Sequence, residues 1–357
     1  MSDAPSTPGG VRDDRGVRAD RGARVEKRLD AEYVLPLRWN EDEETGEGSI
    51  ELADYLRRLD GWIDVTVVDG SDAPILAAHR RRWVDESRPT ALRLIPAEPW
   101  PGRNGKVAGV MTGIRRSRHE RVVIADDDVR YDRESLARVL TRLSDADIVR
   151  PQNVFRPMPW HARWDTARSL LARATGGDFP GTFAFRRSTL LRAGGYDGDV
   201  LFENLELLRT VRAAGGREER ADDVFVARRP PTTRRFLEQR VRQAYDEWAR
   251  PGHLAVELAI APIVVSSLRT PTRLVAVTVV TVALAEAGRR TAGGAAAFPP
   301  SSSLWAPLWL LERAVTSWLA VVARARGGVP YRGARMPVAA HSVREVRDRV
   351  AGVGGPS

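Results

Sequence analysis

Four apolar residues run directly into three consecutive carboxylates in the segment Arg121-Val-Val-Ile-Ala-Asp-Asp-Asp-Val-Arg130. The pattern predicts a buried strand that ends in acidic side chains, and ligands of open α/β sheets bind just beyond the carboxyl ends of such strands. Because side chains alternate along a strand, Asp126 and Asp128 are expected to point one way and Asp127 the other. Two carboxylates on one side suit a divalent cation with a bound diphosphate. The alternative is a solvated acidic turn.

The composition limits the classes of protein to consider. The chain has 357 residues and no cysteine, so it can bury one substantial core plus an accessory region, without disulfides or thiolate metal sites. Its net charge of +9 comes from arginine and suits nucleic acid, an anionic membrane surface or a phosphate-bearing substrate. The arginines are dispersed, and the sequence has neither an RNA-binding aromatic signature nor zinc-finger spacing. We therefore predict no nucleic-acid partner.

The first two thirds of the chain are predicted to form a short tail and one α/β domain. Residues 1–30 are rich in Gly, Asp and Arg, which is typical of a disordered tail and lacks the apolar core of a secretory signal peptide. From Tyr33 onwards, short apolar strands alternate with amphipathic helices. This alternation predicts a domain over 31–230 whose mostly parallel sheet is covered by helices on both faces. A polar, arginine-rich helix is predicted over 231–250.

Residues 251–330 are apolar and are followed by a predicted C-terminal tail over 331–357. The runs Leu254–Leu268 and Leu274–Ala285 are shorter than the ~20 residues that span a bilayer upright. Leu304–Ala323 carries polar residues at helical spacing, a pattern typical of interfacial helices. Tilted spans, interfacial helices and buried helices of a soluble domain all remain open. We favour attachment to the cell membrane, with the preceding domain on its cytoplasmic side.

Three polar features fall in order at the ends of predicted strands or helices. Asp69 is the first polar residue after the second strand, Gly105-Lys106 opens a helix whose N–H groups and lysine could meet phosphate, and Asp126 with Asp128 follows. Each feature alone also fits an ordinary turn or helix start. Their order and spacing are the specific signal.

These motifs make the chain resemble a family 2 glycosyltransferase of the GT-A fold. The resemblance covers about Tyr33 to Trp248. Its matching segments are Val34-Leu-Pro-Leu-Arg-Trp-Asn-Glu41, Val67-Val-Asp-Gly-Ser-Asp72, Asn104-Gly-Lys106, Asp126-Asp-Asp128, Gly181-Thr-Phe-Ala-Phe-Arg-Arg187, Gly194-Gly-Tyr196 and Glu203-Asn-Leu-Glu-Leu207.

The resemblance implies a set of donor-binding residues. In such enzymes the aspartate after the second strand holds the nucleotide base. The Asp-x-Asp motif carries the ribose and a Mg²⁺ or Mn²⁺ ion on the diphosphate. By resemblance, Asp128 is expected to bind the metal, and the nucleotide-sugar is expected to contact Pro36, Asp69, Lys106, Asp126 and Asp127.

The acceptor side departs from the family pattern. The family motif usually reads Glu-Asp, with the aspartate as base in inverting members, whereas this chain has Glu203-Asn204. Asparagine does not accept a proton at neutral pH, so Glu203, Glu206 and Asp178 become candidate bases. The change also fits a retaining mechanism or an inactive site.

A second departure lies in the arginine-rich helix. Processive and lipid-linked relatives often carry Gln-x-x-Arg-Trp here, and Gln239-Arg-Val-Arg242 matches four positions while Gln243 replaces the tryptophan. Gln239, Arg240 and Arg242 are therefore assigned to the nucleotide-sugar site, where the arginines could clamp a diphosphate or lipid phosphate. An exposed helix face explains them equally well. The missing tryptophan favours single transfer over polymer synthesis.

Together these features predict metal-dependent transfer of a sugar from a nucleotide-diphospho-sugar to an acceptor hydroxyl. The acceptor is expected to be lipid-linked or a cell-envelope glycan. One alternative is a non-catalytic nucleotide-sugar-binding partner of another transferase, supported by Asn204. The other is a nucleotidyltransferase, against which the first strand is followed by Arg38-Trp-Asn40 and not by a Gly-rich loop.

Overall fold

The structure is a computed structural model that describes Met1 and residues 27–84, 90–331 and 334–353. Most of the predicted N-terminal tail, residues 2–26, lies outside the described residues, as do the last four residues of the predicted C-terminal tail. The strands are β1 (Glu32–Leu37), β2 (Asp64–Asp69), β3 (Leu92–Pro96), β4 (Arg121–Ala125), β5 (Val129–Arg130), β6 (Ile148–Phe155), β7 (Thr182–Arg186), β8 (Glu218–Arg228), β9 (Val329–Tyr331) and β10 (Ala334–Met336).

Helices alternate with these strands and then continue without them. They are α1 (Glu41–Thr45), α2 (Glu47–Asp60), α3 (Ala73–Trp83), α4 (Gly105–Arg116), α5 (Arg133–Arg142), α6 (Trp160–Thr175), α7 (Arg187–Arg192), α8 (Glu203–Ala213), α9 (Thr233–Glu238), α10 (Arg240–Tyr245), α11 (Pro251–Ser267), α12 (Pro271–Arg290), α13 (Gly294–Ala297), α14 (Ala306–Ala325) and α15 (Val343–Val353). Short 3₁₀ segments cover Asp246–Ala249, Thr291–Gly293 and Pro300–Trp305.

The main sheet is mostly parallel, in the order β3-β2-β1-β4-β7-β6-β8-β5. The pairs β3–β2, β2–β1, β1–β4 and β6–β8 are parallel, whereas β7 runs antiparallel to both β4 and β6. The ladder between β1 and β4 ends at Val34 and Ile124. Pro36 lies beyond that point, where the two strands no longer pair and a cleft opens.

Helices cover both faces of the sheet, which confirms the predicted α/β class. Along β4, Val122 and Ile124 belong to one core and Val123 and Ala125 to the other, as alternation requires. Apolar residues of α2 and α5 belong to the core that contains Val123, while those of α4, α7 and α8 belong to the core that contains Val122. Strands buried on both faces read as continuous apolar runs, which is why the sequence showed them clearly.

The arginine-rich segment is not one helix. It divides into α9, α10 and the 3₁₀ segment Asp246–Ala249, with Gln239 at the junction of α9 and α10. Gln239 and Arg242 line the cleft, whereas the Arg240 side chain is buried in the interior.

Two segments of the described chain, Pro271–Ala297 and Pro300–Ala325, are helical, long and apolar enough to cross a membrane. Only 17% and 39% of their most apolar windows are buried in the protein. The polar side of α14 does not face solvent, because Arg313, Thr316 and Ser317 are buried against the protein. The exposed side carries Val315 and Trp318 instead.

Part of the predicted C-terminal tail is folded. Residues 334–336 pair with β9, and α15 packs on α8 with Val346 fully buried. The Glu206 carboxylate accepts a hydrogen bond from the backbone N–H of His341 at 2.9 Å, which connects this segment to α8. The few apolar residues of α15 gave only a weak sequence signal for a helix. Contact with α8 supplies the surface against which this helix packs.

Candidate active site

Three carboxylates follow directly on β4, in the turn that leads to β5. Arg228, the last residue of β8, spans Asp126 and Asp128: its Nε lies 2.9 Å from Asp128 Oδ2, and its Nη2 lies 3.9 Å from Asp126 Oδ2. One guanidinium reaches both groups only because they are on the same side. Asp127 instead accepts a 2.6 Å hydrogen bond from the Trp39 indole.

Lys106 connects this acid pair to the acceptor-side motif. Asn104 caps α4 by accepting a hydrogen bond from the Lys106 backbone N–H, which fixes the start of the helix. The Lys106 ammonium lies 2.6 Å from Asp126 Oδ1 and 2.7 Å from Glu203 Oε1. Burial alone would lower the pKa of Lys106, but these two carboxylates outweigh it and raise that pKa well above its ordinary value.

Asp128 is the least compensated of the three aspartates. Its Oδ1 is shielded from solvent and has no hydrogen-bond partner among the described residues. Burial, with repulsion from Asp126 and Asp127, raises the pKa of Asp128 to about 6 despite the attraction of Arg228. A carboxylate in this condition gains stability from a cation that approaches its free oxygen.

These residues line one cleft of about 1650 Å³ at the carboxyl edge of the sheet. The cleft runs from α1 and the end of β1 to the apolar helices α11 and α14. Of the predicted site residues, it is lined by Pro36, Lys106, Asp126, Asp127, Asp128, Glu203, Asn204, Gln239 and Arg242.

Asp69, the predicted contact of the nucleotide base, does not line the cleft in this structure. Its side chain is buried, with Oδ2 2.6 Å from His79 Nδ1 and Oδ1 accepting a hydrogen bond from the Ser71 backbone at 2.8 Å. His79 in turn lies 2.7 Å from Glu44 and stacks on Trp83. A histidine two turns into α3 thus captures the carboxylate, which nothing at positions 69–72 indicated.

Arg240, one of the two arginines of the predicted phosphate clamp, does not line the cleft in this structure either. Its guanidinium lies 3.1 Å from Asp165 and 3.6 Å from Glu312, inside the contact between α10, α6 and α14. Arg242 does line the cleft, above the ring of Tyr331. Residues two positions apart in a helix point to nearly opposite sides, so Arg240 is buried while Arg242 lines the cleft.

The sequence matches the model of a family described as glycosyltransferase like family 2 over residues 65–246, just over half of the chain. The chain belongs to this glycosyltransferase family. No curated protein sequence matches it. The match confirms the predicted enzyme class, a glycosyltransferase.

Solved structures similar to this glycosyltransferase include the mannosyltransferase PcManGT from Pyrobaculum calidifontis in complex with GDP-Man and Mn²⁺. The two share 21% identity and a TM-score of 0.47, over 92% of this chain and 86% of that one. Mannosyl-3-phosphoglycerate synthase from Rubrobacter xylanophilus has 16% identity and a TM-score of 0.37, over 59% of this chain and 70% of that one. GalNAc-T7 with UDP, GalNAc and Mn²⁺ has 12% identity and a TM-score of 0.39, over 58% and 45% respectively.

The candidate bases of the glycosyltransferase fall in different places. The Asn204 side-chain amide donates to the Pro180 carbonyl at 3.1 Å. Glu203 faces the cleft, and its carboxylate is bound to Lys106. Glu206 and Asp178 are excluded, because Glu206 is fully buried against His341 and Arg349, and Asp178 is held by Arg168 at 2.7 Å, outside the cleft.

Two cleft residues were missed by the sequence reasoning. Arg228 follows no motif, since it reaches the acid pair through the strand order and not through spacing along the chain. Asp246 lies four residues after Arg242, outside the motif Gln239-Arg-Val-Arg242. A search for carboxylates within one or two turns of Arg242 could have found Asp246.

The donor set fits a divalent cation that arrives with a diphosphate. The described part of the chain holds no group of three or more His, Cys, Asp or Glu side chains arranged for a metal. Asp126 and Asp128 nevertheless face the cleft together, and Asp128 Oδ1 is free of partners. Mg²⁺ is commonly held by one or two protein carboxylates plus substrate phosphates and water, which two aspartates suffice to support.

Proposed function

We propose that the enzyme transfers a sugar from a nucleotide-diphospho-sugar to an acceptor hydroxyl with the help of Mg²⁺ or Mn²⁺. The observation that carries the proposal is the group formed by Asp126, Asp128, Lys106 and Arg228 at the mouth of the cleft. It combines a divalent-cation donor set with two cations at the same edge of the sheet. A diphosphate needs both kinds of partner.

The acidic and the basic residues of this group have different proposed roles. Asp126 and Asp128 would hold the divalent ion, which when bound neutralises charge on the leaving diphosphate. Lys106 and Arg228 pair with the same carboxylates here, so they lie where phosphate oxygens can also accept their hydrogen bonds. Arg242 and Gln239 line the cleft farther along and would orient the donor or the acceptor.

We place the reaction at the cytoplasmic face of the cell membrane, with a lipid-linked or cell-envelope glycan as the acceptor. The cleft reaches Trp309 and Arg313 of α14, so an acceptor bound there touches the apolar helices. The outward sides of those helices expose large apolar residues such as Val279, Val315 and Trp318. Apolar surface on the outside and polar groups on the inside favour a lipid environment.

A binding screen followed by one variant tests this proposal. UDP-, GDP- and dTDP-sugars are added with and without Mn²⁺, and selective binding raises the melting temperature by mass action. Asp128→Ala should abolish both the Mn²⁺-dependent part of that shift and sugar transfer. Asp54→Ala, which changes an exposed carboxylate on α2, serves as the matched control and should do neither.

The outcomes separate the alternatives. Transfer by Asp128→Ala at the wild-type rate would refute metal-assisted transfer at this site. Selective donor binding by the wild type without transfer or donor hydrolysis, over a range of acceptors, would instead support the non-catalytic binding protein that Asn204 suggests.

A further inference from the structure

The acceptor hydroxyl in the proposed reaction needs a group that takes its proton, and Asn204 cannot do so. A general base has to lie within hydrogen-bond reach of the hydroxyl. The Asn204 amide is bound to a backbone carbonyl, and the Glu203 carboxylate forms a charge-assisted hydrogen bond with Lys106. Neither side chain of the family motif therefore presents a free carboxylate to the cleft.

Asp246 presents such a carboxylate. Several partly or fully buried acidic residues line the cleft in the described ranges. Asp246 differs from the others, because its side chain forms neither an ion pair nor a hydrogen bond. Its Oδ1 is shielded from solvent and has no hydrogen-bond partner. The exposed acids of the cleft, Asp42 and Glu47, are solvated and lie in α1 and α2.

The segment that carries Asp246 is anchored to the helix that begins with the acceptor-side motif. The preceding residue, Tyr245, is fully buried and donates to the Pro337 carbonyl at 2.7 Å. Arg209 of α8 donates to the Ala249 carbonyl at 2.8 Å, at the other end of the 3₁₀ segment. Leu205 of α8 belongs to the same apolar core as Tyr245. The segment is therefore fixed to the helix that begins with Glu203.

We infer that Asp246 is the general base of the transferase. This inference rests on the proposed function. A carboxylate oxygen of Asp246 takes the proton of the acceptor hydroxyl while the hydroxyl oxygen forms its bond to the anomeric carbon. The bond from that carbon to the diphosphate oxygen breaks at the same time, and the diphosphate leaves with its electron pair. Such a single displacement inverts the anomeric configuration.

The electrostatic surroundings suit this role near neutral pH. Burial raises the pKa of Asp246 to about 7, with Glu203 of α8 and the adjacent Glu247 adding to the rise. Arg242 of α10 and Arg313 of α14 oppose it. A base whose pKa lies near the working pH combines a large deprotonated fraction with useful basicity.

The test compares Asp246→Asn with Glu238→Gln, an exposed carboxylate of α9 that lies outside the cleft. Asp246→Asn should lower kcat by on the order of 10²- to 10⁴-fold and leave the donor-induced rise in melting temperature unchanged. The acid limb of the wild-type kcat/KM profile should lie near pH 7 and should be absent from the residual activity of the variant. Glu238→Gln should behave as wild type in each measurement, and Asp246→Glu should retain part of the activity.

Three results would overturn the inference while leaving the proposed function intact. They are a kcat within about threefold of wild type for Asp246→Asn, an unchanged acid limb in that variant, or a product with retained anomeric configuration by NMR. If Asp246→Asn does not fold, the acid limb of the wild type, the product configuration and Asp246→Glu still decide. A wild-type protein that binds donor and transfers nothing contradicts the proposed function instead.

Discussion

Replacing Gly113 with alanine should destabilise the protein, because α4 lies directly against β1 at this position. An ideal Cβ on Gly113 would lie 2.2 Å from Val34 Cγ1 and 3.2 Å from Val68 Cγ2. Carbon atoms pack at about 3.5–4.0 Å, so the helix and strand would have to separate by roughly 1.5 Å. Overpacking of this kind costs about 1–3 kcal/mol. The intrinsic preference of a helix for alanine over glycine offsets about 0.5–1 kcal/mol of this cost.

A double-mutant cycle with Val34→Ala measures the clash itself. In the wild-type background, Gly113→Ala should lower the free energy of unfolding by about 1–2 kcal/mol. In the Val34→Ala background, where Cγ1 is absent, it should be neutral or stabilising by up to about 1 kcal/mol. The coupling energy is therefore expected at about 1–3 kcal/mol. Urea unfolding of the detergent-solubilised chain provides the measurement, and Gly48→Ala, with open space around its Cβ, is the control.

Additivity of Gly113→Ala and Val34→Ala within about 0.5 kcal/mol would refute the close packing of α4 on β1. The cycle also bears on the site, because α4 carries Lys106 in its first turn. Displacing the helix should weaken the contact between Lys106 and Asp126 and lower donor affinity.

Three further predictions concern residues outside the acid pair. Arg240→Met should lower the free energy of unfolding by about 3–5 kcal/mol, because it leaves the buried Glu312 carboxylate without its nearest cation and Asp165 with Arg168 alone; calorimetry should show an unchanged donor Kd, whereas weaker donor binding at unchanged stability would support the predicted phosphate clamp. The hydrogen bond to Glu206 raises the pKa of His341. The contribution of this hydrogen bond to the free energy of unfolding is therefore complete below about pH 6.5 and is lost as the pH rises through the raised pKa. The melting-temperature difference between wild type and His341→Asn should therefore shrink as the pH rises, and a difference that grows with pH would contradict this prediction. Gly288→Ala should melt lower than Gly252→Ala by scanning fluorimetry, since a Cβ at 288 would lie 1.9 Å from a backbone oxygen of α6 and one at 252 meets nothing; equal melting temperatures would show that α12 does not pack closely on the domain.

The fold class and the acid pair were predictable because their signals are local. A strand covered on both faces must be continuously apolar, and the acidic run follows directly on β4, so its position at the carboxyl end of that strand is visible in the sequence. The cap at Asn104 likewise sets the start of α4 and the position of Lys106. These features depend on neighbours a few residues away, so the order of residues along the chain contains them.

The partners of the charged groups could not be predicted in this way. Asp69 matches its motif, yet its carboxylate is bound by His79 inside the domain. Arg240 and Arg242 occupy neighbouring positions of one motif, yet one pairs with buried acids and the other lines the cleft. In each case the distinction depends on which helix packs above the residue.

The chain order alone therefore contained the sheet, its acidic edge and the family to which the protein belongs. Packing between distant segments decided which charges are free for chemistry. Arg228 reaches Asp128 across 100 positions of sequence, and Asp246 is brought beside the helix that starts at Glu203 by an apolar core shared between them. Backbone periodicity is encoded within a few residues, whereas the electrostatic environment of a side chain is the sum of contacts that exist only after folding.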